Sequence, residues 1–184
     1  IVPVGIDQAP HIEFAREIVR SFNYRYNTKV LIEPQVKHTE ILKVVGIDGV
    51  NKMSKSLNNH IELASTPEET TKRVREMVTD PARLRKTDPG NPDICNVFTM
   101  HKIFSPQEEV DMINTECRKA GIGCVDCKLR FANNLNKHLE PFRAKRNELA
   151  SQESYVKDVL NDGGKRARVI AQETMSEGRE AMQL

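Results

Sequence analysis

The sequence predicts an α/β segment followed by an all-α segment. Three observations carry this. Short β-branched runs, Val30-Leu31-Ile32 and Val44-Val45-Gly46-Ile47, occur only in the first third. From about Ala64 onward strand patterns vanish and helical periodicity takes over. Two capping patterns, Thr66-Pro67-Glu68-Glu69 and Ser105-Pro106-Gln107-Glu108, open helices in that second part. The boundary splits the chain into 1–64 and 65–184.

The opening Ile1-Val2-Pro3-Val4-Gly5-Ile6 reads as an extended, buried segment. A chain that starts on such a segment, and with Ile1 instead of Met, reads as the carboxy-terminal portion of something longer. A helix follows with Ala15, Ile18, Val19 and Phe22 on one face. The order strand, helix, strand implies a partly parallel sheet. Asp48-Gly49 reads as a turn into a polar loop over 50–60. In the second part, helices are expected to about Val78, over 93–104 with Ile94, Val97, His101 and Phe104 in a stripe, and from Ser105 to the Gly121 and Gly123 stop. A long helix over 126–150 should bury Phe131, Leu135, Leu139 and Phe142, with Pro141 a candidate kink. Asp162-Gly163-Gly164 reads as a stop. The last helix, 165–182, should then bury Ala167, Ile170, Ala171 and Thr174 and can pack back on the first segment. Met100 and Met112 read as core.

Composition restricts the function classes. Of 184 residues, 38% are hydrophobic and 29% charged, and the net charge is +2. Bulk charge therefore gives no case for a nucleic-acid partner, which must come from local patches. No apolar run is long enough for a membrane span, and no secretory leader is visible. The expected setting is cytoplasmic.

The chemistry concentrates in Lys52-Met53-Ser54-Lys55-Ser56. Two lysines three apart in a polar loop can converge on one anion, with serine hydroxyls as donors. A mobile basic loop can close over a triphosphate and stabilise charge as phosphorus is attacked. Lysines alone would more often mean a solvated basic turn. A second element is Gly5-Ile6-Asp7-Gln8, with His11 one helical turn on. Glycine at a strand end lets backbone approach a ligand, and Asp7 and Gln8 would sit at the carboxyl end of a strand, where open α/β sheets bind ligands. Asp7 as a plain helix cap is the alternative. His11 reads as structural.

The five-residue lysine string is identical to the signature loop of class I aminoacyl-tRNA synthetases. Gly46-Ile47-Asp48-Gly49 and Ala9-Pro10-His11-Ile12-Glu13-Phe14-Ala15-Arg16 resemble the tryptophanyl branch more than the tyrosyl one. The resemblance implies the carboxy-terminal part of a Rossmann-like nucleotide-binding domain, then a helical anticodon-binding domain. It implies ATP contacts at Gly5, Ile6, Asp7, Val44, Lys52, Met53, Ser54, Lys55 and Ser56, with Lys52 and Lys55 catalytic and Mg²⁺ on the phosphates. Gln8 would face the charged end of the amino acid. The implied reaction joins tryptophan to ATP as an adenylate, releases pyrophosphate, and passes the aminoacyl group to tRNA(Trp). A homodimer is implied for the full-length protein. The family's His-x-Gly-His motif is absent from these residues, so the chain alone is not expected to complete the reaction. The rivals are a tyrosyl-tRNA synthetase and a non-catalytic RNA- or metal-binding module derived from a synthetase.

Four cysteines, Cys95, Cys117, Cys124 and Cys127, are separated by 21, six and two residues. The spacing and the expected helical hairpin bring them together, and soft thiolates select zinc or an iron–sulfur cluster. Free core thiols are the bland alternative. The resemblance favours a [4Fe–4S] cluster over zinc, with a structural role. Residues 128–149 also carry Lys128, Arg130, Lys137, Arg143, Lys145 and Arg146 against Glu140 and Glu148. These six are candidate tRNA contacts, set against a simple solvated face.

Overall fold

The structure, a computed structural model, describes residues 1–38 and 44–184. Strand β1 (Val2–Pro3) pairs in parallel with β2 (Val36–Lys37), Val2 opposite Val36. Helix α1 (Ala9–Arg25) lies between them in sequence, the crossover that parallel pairing requires. Five further helices follow: α2 (Pro67–Glu76), α3 (Asn96–Phe104), α4 (Gln107–Arg118), α5 (Cys124–Ala150) and α6 (Glu153–Ala181). The order is α/β, then all-α.

The residues divide into two compact units. One contains 1–43 with 149–184; the other is 44–148. The change of element type near Ala64 is therefore not where the contacts divide, because the segment from Val44 through the lysine loop groups with the helices that follow it.

The core lies in the second unit. Val74, Val97 and Phe131 are completely buried, and Phe98, Met100, Ile113, Leu135 and Leu139 join them. Met112 packs against this core from its edge. Phe131 meets the His101 ring edge-on at 5.2 Å. Burial of one such side chain contributes about 1.5–3 kcal/mol. Helix α2 begins as its sequence says: Thr66 accepts from the Glu69 amide, and the Glu69 carboxylate accepts from the Thr66 amide.

Several expectations are corrected. Ile1 and Ile6 are exposed, and Ile6 lies in a 3₁₀ turn, so the opening strand is two residues and not a buried run. Val30–Ile32 forms no strand. The Asn23 side chain takes both the Leu31 amide and the Leu31 carbonyl, which removes them from any ladder. Val36–Lys37 pairs instead. Of the α1 face, Ile18 is exposed and the other three only half-buried. Ile94 precedes α3 in a 3₁₀ turn and faces outward. Ser105 does not cap α4; its hydroxyl pairs with His101 Nδ1 and accepts from Asn134. The left-handed residue after α4 is Ala120, with φ 59°, not a glycine. In α5, Phe142 is exposed and Arg143 is buried.

The largest correction concerns Asp162-Gly163-Gly164. Helix α6 runs through it without a break. Two glycines cost a helix about 2 kcal/mol relative to alanine. Pair Glu153–Lys157 supports the helix before the glycines, and Asp162–Arg166 spans them, each one turn apart. The expected stripe of Ala167, Ile170, Ala171 and Thr174 is exposed, with Ile170 at 68%. Periodicity placed these residues on one face but says nothing about what covers it. No described helix is long and apolar enough to cross a membrane.

Candidate active site

The lysine segment is built on a short hairpin. Val45 and Lys52 form an antiparallel bridge, the Gly46 amide donates to the Asn51 carbonyl at 2.8 Å, and the Met53 amide to the Val44 carbonyl at 3.0 Å. The turn needs Gly49, whose φ is +72°. Asp48 holds the turn: its carboxylate accepts from the amides of Val50 and Asn51 and from the side chains of Asn51 and Asn59. The Asn59 hydrogen bond above all, then the Val50 amide and the Asn51 side chain, hold this carboxyl down to about 2.

Beyond the hairpin, Lys52, Lys55 and Ser56 are exposed, while Met53 and Ser54 are half-buried. Met53 packs on the core and anchors the loop there. Ser54 and Ser56 share a hydroxyl hydrogen bond of 2.8 Å. The exit is fixed too. Arg73, on α2, donates to the carbonyls of Asn58 and His60. Asn96, at the start of α3, donates to the buried Gly46 carbonyl at 2.7 Å. Two lysine side chains thus stand on a backbone secured from both ends, an arrangement that can hold a polyphosphate.

Gly5-Ile6-Asp7-Gln8 lies in the other unit, as an extended glycine followed by a 3₁₀ turn. A Cβ on Gly5 would come within 2.6 Å of Asp7 Oδ1, so the carboxylate folds back over the glycine. Gln8 Nε2 donates to the same carboxylate at 3.2 Å. Gln8, the residue before α1, makes no side-chain capping hydrogen bond. His11 is exposed.

The cysteines are placed largely as their spacing suggests. Cys95 caps α3, Cys117 lies in the last turn of α4, and Cys124 and Cys127 form the first turn of α5. All four are free thiols. Burial pushes the Cys127 thiol up to about 12, and the neighbouring Cys95, Cys117 and Cys124 add to the shift. Burial also raises Cys117. The Arg83 guanidinium stands between two of the sulfurs, 3.7 Å from Cys117 Sγ and 3.8 Å from Cys124 Sγ. Its other end donates to the Lys86 and Ile122 carbonyls at 2.9 and 2.8 Å. Among the described residues, no three or more His, Cys, Asp or Glu side chains are arranged so that they could hold a metal ion.

The six cations of α5 have unequal fates. Arg143 is buried and donates to Thr70 Oγ1 at 2.7 Å and Asn136 Oδ1 at 2.9 Å. Lys128 donates to the Arg75 carbonyl, Arg130 lies 3.7 Å from Glu109, and Lys145 pairs with Glu148. Lys137 and Arg146 are exposed. Sequence reasoning missed Asn59, Arg73, Arg83 and Asn96, which act through contacts distant in sequence. The nearest available signal was the asparagine that closely follows the lysine string.

A family model described as tRNA synthetases class I (W and Y) matches residues 1–140. The chain belongs to this family. Similar members include tryptophan–tRNA ligases: that of Aquifex aeolicus is 46% identical over 100% of this chain and 46% of its own length. That of Deinococcus radiodurans is 43% identical over 98% of this chain and 54% of its own length. The structure also resembles Campylobacter jejuni tryptophanyl-tRNA synthetase complexed with ADP and tryptophan, with TM-score 0.80 and 34% identity, over 100% of this chain and 56% of that one. The chain spans about half the length of the curated relatives it matches. As in this class I family, the later part of a Rossmann-like domain precedes a helical domain.

Proposed function

We propose that the chain is part of a cytoplasmic tryptophan–tRNA ligase that activates tryptophan with ATP and transfers it to tRNA(Trp). The observation that carries this is the lysine hairpin, which presents Lys52 and Lys55 from a secured backbone. Likeness to tryptophan–tRNA ligases along the whole chain supports the choice of amino acid.

In this reading the tryptophan carboxylate attacks the α-phosphorus of ATP and pyrophosphate leaves. Lys52 and Lys55 follow the charge that accumulates on the departing phosphates, with the Ser54 hydroxyl and loop amides as further donors. Mg²⁺ would neutralise the phosphates when bound. Gly5, Ile6 and Asp7 contact ATP, Val44 lies by the adenine, and Gln8 meets the charged end of the amino acid. Catalysis here is positioning and charge stabilisation, with no general base required. Residues 1–64 supply the nucleotide-binding part and 65–184 the anticodon-binding part, with tRNA phosphates met by exposed cations such as Lys137 and Arg146. The full-length protein is a homodimer.

The four cysteines are read as ligands of a [4Fe–4S] cluster, with zinc as the alternative. The chemistry of four free thiols suits a soft metal, although among the described residues they are not arranged as a group that could hold one. The cluster would fix α3, α4 and α5 to one another.

The test is ATP–pyrophosphate exchange by these residues joined behind the amino-terminal half of the Aquifex aeolicus relative. Exchange that requires tryptophan supports the reading. Exchange that requires tyrosine, or none in a folded protein, overturns it.

A further inference from the structure

Asn59 lies three residues past the lysine string and is 3% exposed. Polar side chains are seldom so buried unless every group is matched. In Asn59 all are. Oδ1 accepts from the Ser54 amide at 2.7 Å. Nδ2 donates one hydrogen to Asp48 Oδ2 at 2.9 Å and the other to the Lys52 carbonyl at 3.2 Å. The Asn59 carbonyl accepts from the Ile47 amide at 2.8 Å.

The carboxamide orientation is dictated by its partners. Turned over, its NH₂ would face the Ser54 amide and its oxygen would face a carboxylate. Neither contact is favourable. The seat also demands glycine at 46, where a Cβ would run into the Asn59 side chain. Arg73 secures the residues on either side by donating to the Asn58 and His60 carbonyls. Asn96 fixes the Gly46 carbonyl beneath. Asn59 is therefore a buried junction that binds the loop backbone at Lys52 and Ser54, to either side of Met53.

We propose that Asn59 is a positioning residue for phosphate binding: by fixing the Lys52 carbonyl and the Ser54 amide, it aims Lys52 and Lys55 at one polyphosphate. The inference rests on the proposed role of the lysine loop and adds a residue outside the string. Asn59 does not touch the phosphates. It determines the backbone from which the lysines reach them, so its loss separates two lysines that must act on one anion.

Asn59→Asp tests this with little change in volume. A carboxylate still accepts from Ser54 but has no donor for the Lys52 carbonyl and repels Asp48. The experiment titrates the ¹⁵N-labelled chain with inorganic pyrophosphate and follows amide shifts and hydrogen exchange in wild type, Asn59→Asp and Asn59→Gln. The glutamine variant keeps the chemistry but places it one methylene too far, and it serves if the aspartate variant does not fold.

The expected result is pyrophosphate binding at the Lys52 and Lys55 amides in wild type. Affinity should fall about tenfold or more in the variants, the equivalent of one or two hydrogen bonds. Ser54 amide exchange should quicken by a similar factor in Asn59→Gln, while in both variants shifts from α3 to α5 and cooperative unfolding remain. A merely structural role would instead loosen the whole unit. Wild-type affinity and Ser54 protection in a folded variant would overturn the proposal alone. Failure of the wild-type chain to bind pyrophosphate would overturn the phosphate role of the loop, and this proposal with it.

Discussion

Replacing Arg143 with alanine should destabilise the protein and leave RNA affinity nearly untouched. Arg143 looks like an RNA contact in the sequence, one cation among six on a long helix. It is 7% exposed. Its guanidinium donates to Thr70 Oγ1 and Asn136 Oδ1, and Thr70 is itself completely buried. Truncation removes two hydrogen bonds to a charged donor and strands the Thr70 hydroxyl. An unmatched buried polar group costs about 1–3 kcal/mol. Loss of the packed methylene stem adds about 1 kcal/mol. The expected loss is about 2–4 kcal/mol, read as a lower urea midpoint at unchanged slope. Pairing Arg143→Leu with Thr70→Val should recover part of it, because the buried Thr70 hydroxyl is then no longer left unmatched. The reasoning is refuted if Arg143→Ala unfolds at the wild-type midpoint while the salt dependence of RNA binding falls by about one unit of slope, the sign of a lost phosphate contact.

Phe131→Ala should cost about 3–5 kcal/mol in urea unfolding, since the ring is fully buried against His101 and Phe104. Asp48 should titrate near pH 2 by carboxyl NMR and move towards its ordinary 3.8 in Asn59→Ala, which removes the largest cause of its depression. Because the folded value is the lower one, the stability this carboxylate contributes is present above pH 3.8 and is lost as pH falls towards 2. Anaerobically purified protein should be brown and carry about four iron and four sulfide per chain; about one zinc in a colourless sample would make the centre a structural zinc site. Cys117→Ser should lower the metal content in either case.

The legible parts of this molecule are those whose signal is local. The Thr66–Glu69 capping box forms with both of its hydrogen bonds. The cysteines fall at the ends of α3, α4 and α5 because turn residues and helix periods are short-range features. The lysine string was legible as a complete word, not as two charges. What failed depended on partners that no local pattern announces. Val30–Ile32 looked like a strand until Asn23 took the backbone of Leu31. Gly163 and Gly164 looked like a stop, yet two local penalties do not end a helix with turns on both sides and an ion pair across them. Asn59, Arg73 and Asn96 carry no pattern of their own. Their roles come from carbonyls that the fold brings to them.

Tryptophan-dependent ATP–pyrophosphate exchange, compared between the joined protein and its Lys52→Gln, Lys55→Gln double variant, tests the central claim most directly. The account places both lysines on charge that develops in the transition state. It predicts a fall in kcat of about a hundredfold or more, with tryptophan affinity unchanged. A kcat within twofold of the unsubstituted protein would contradict it.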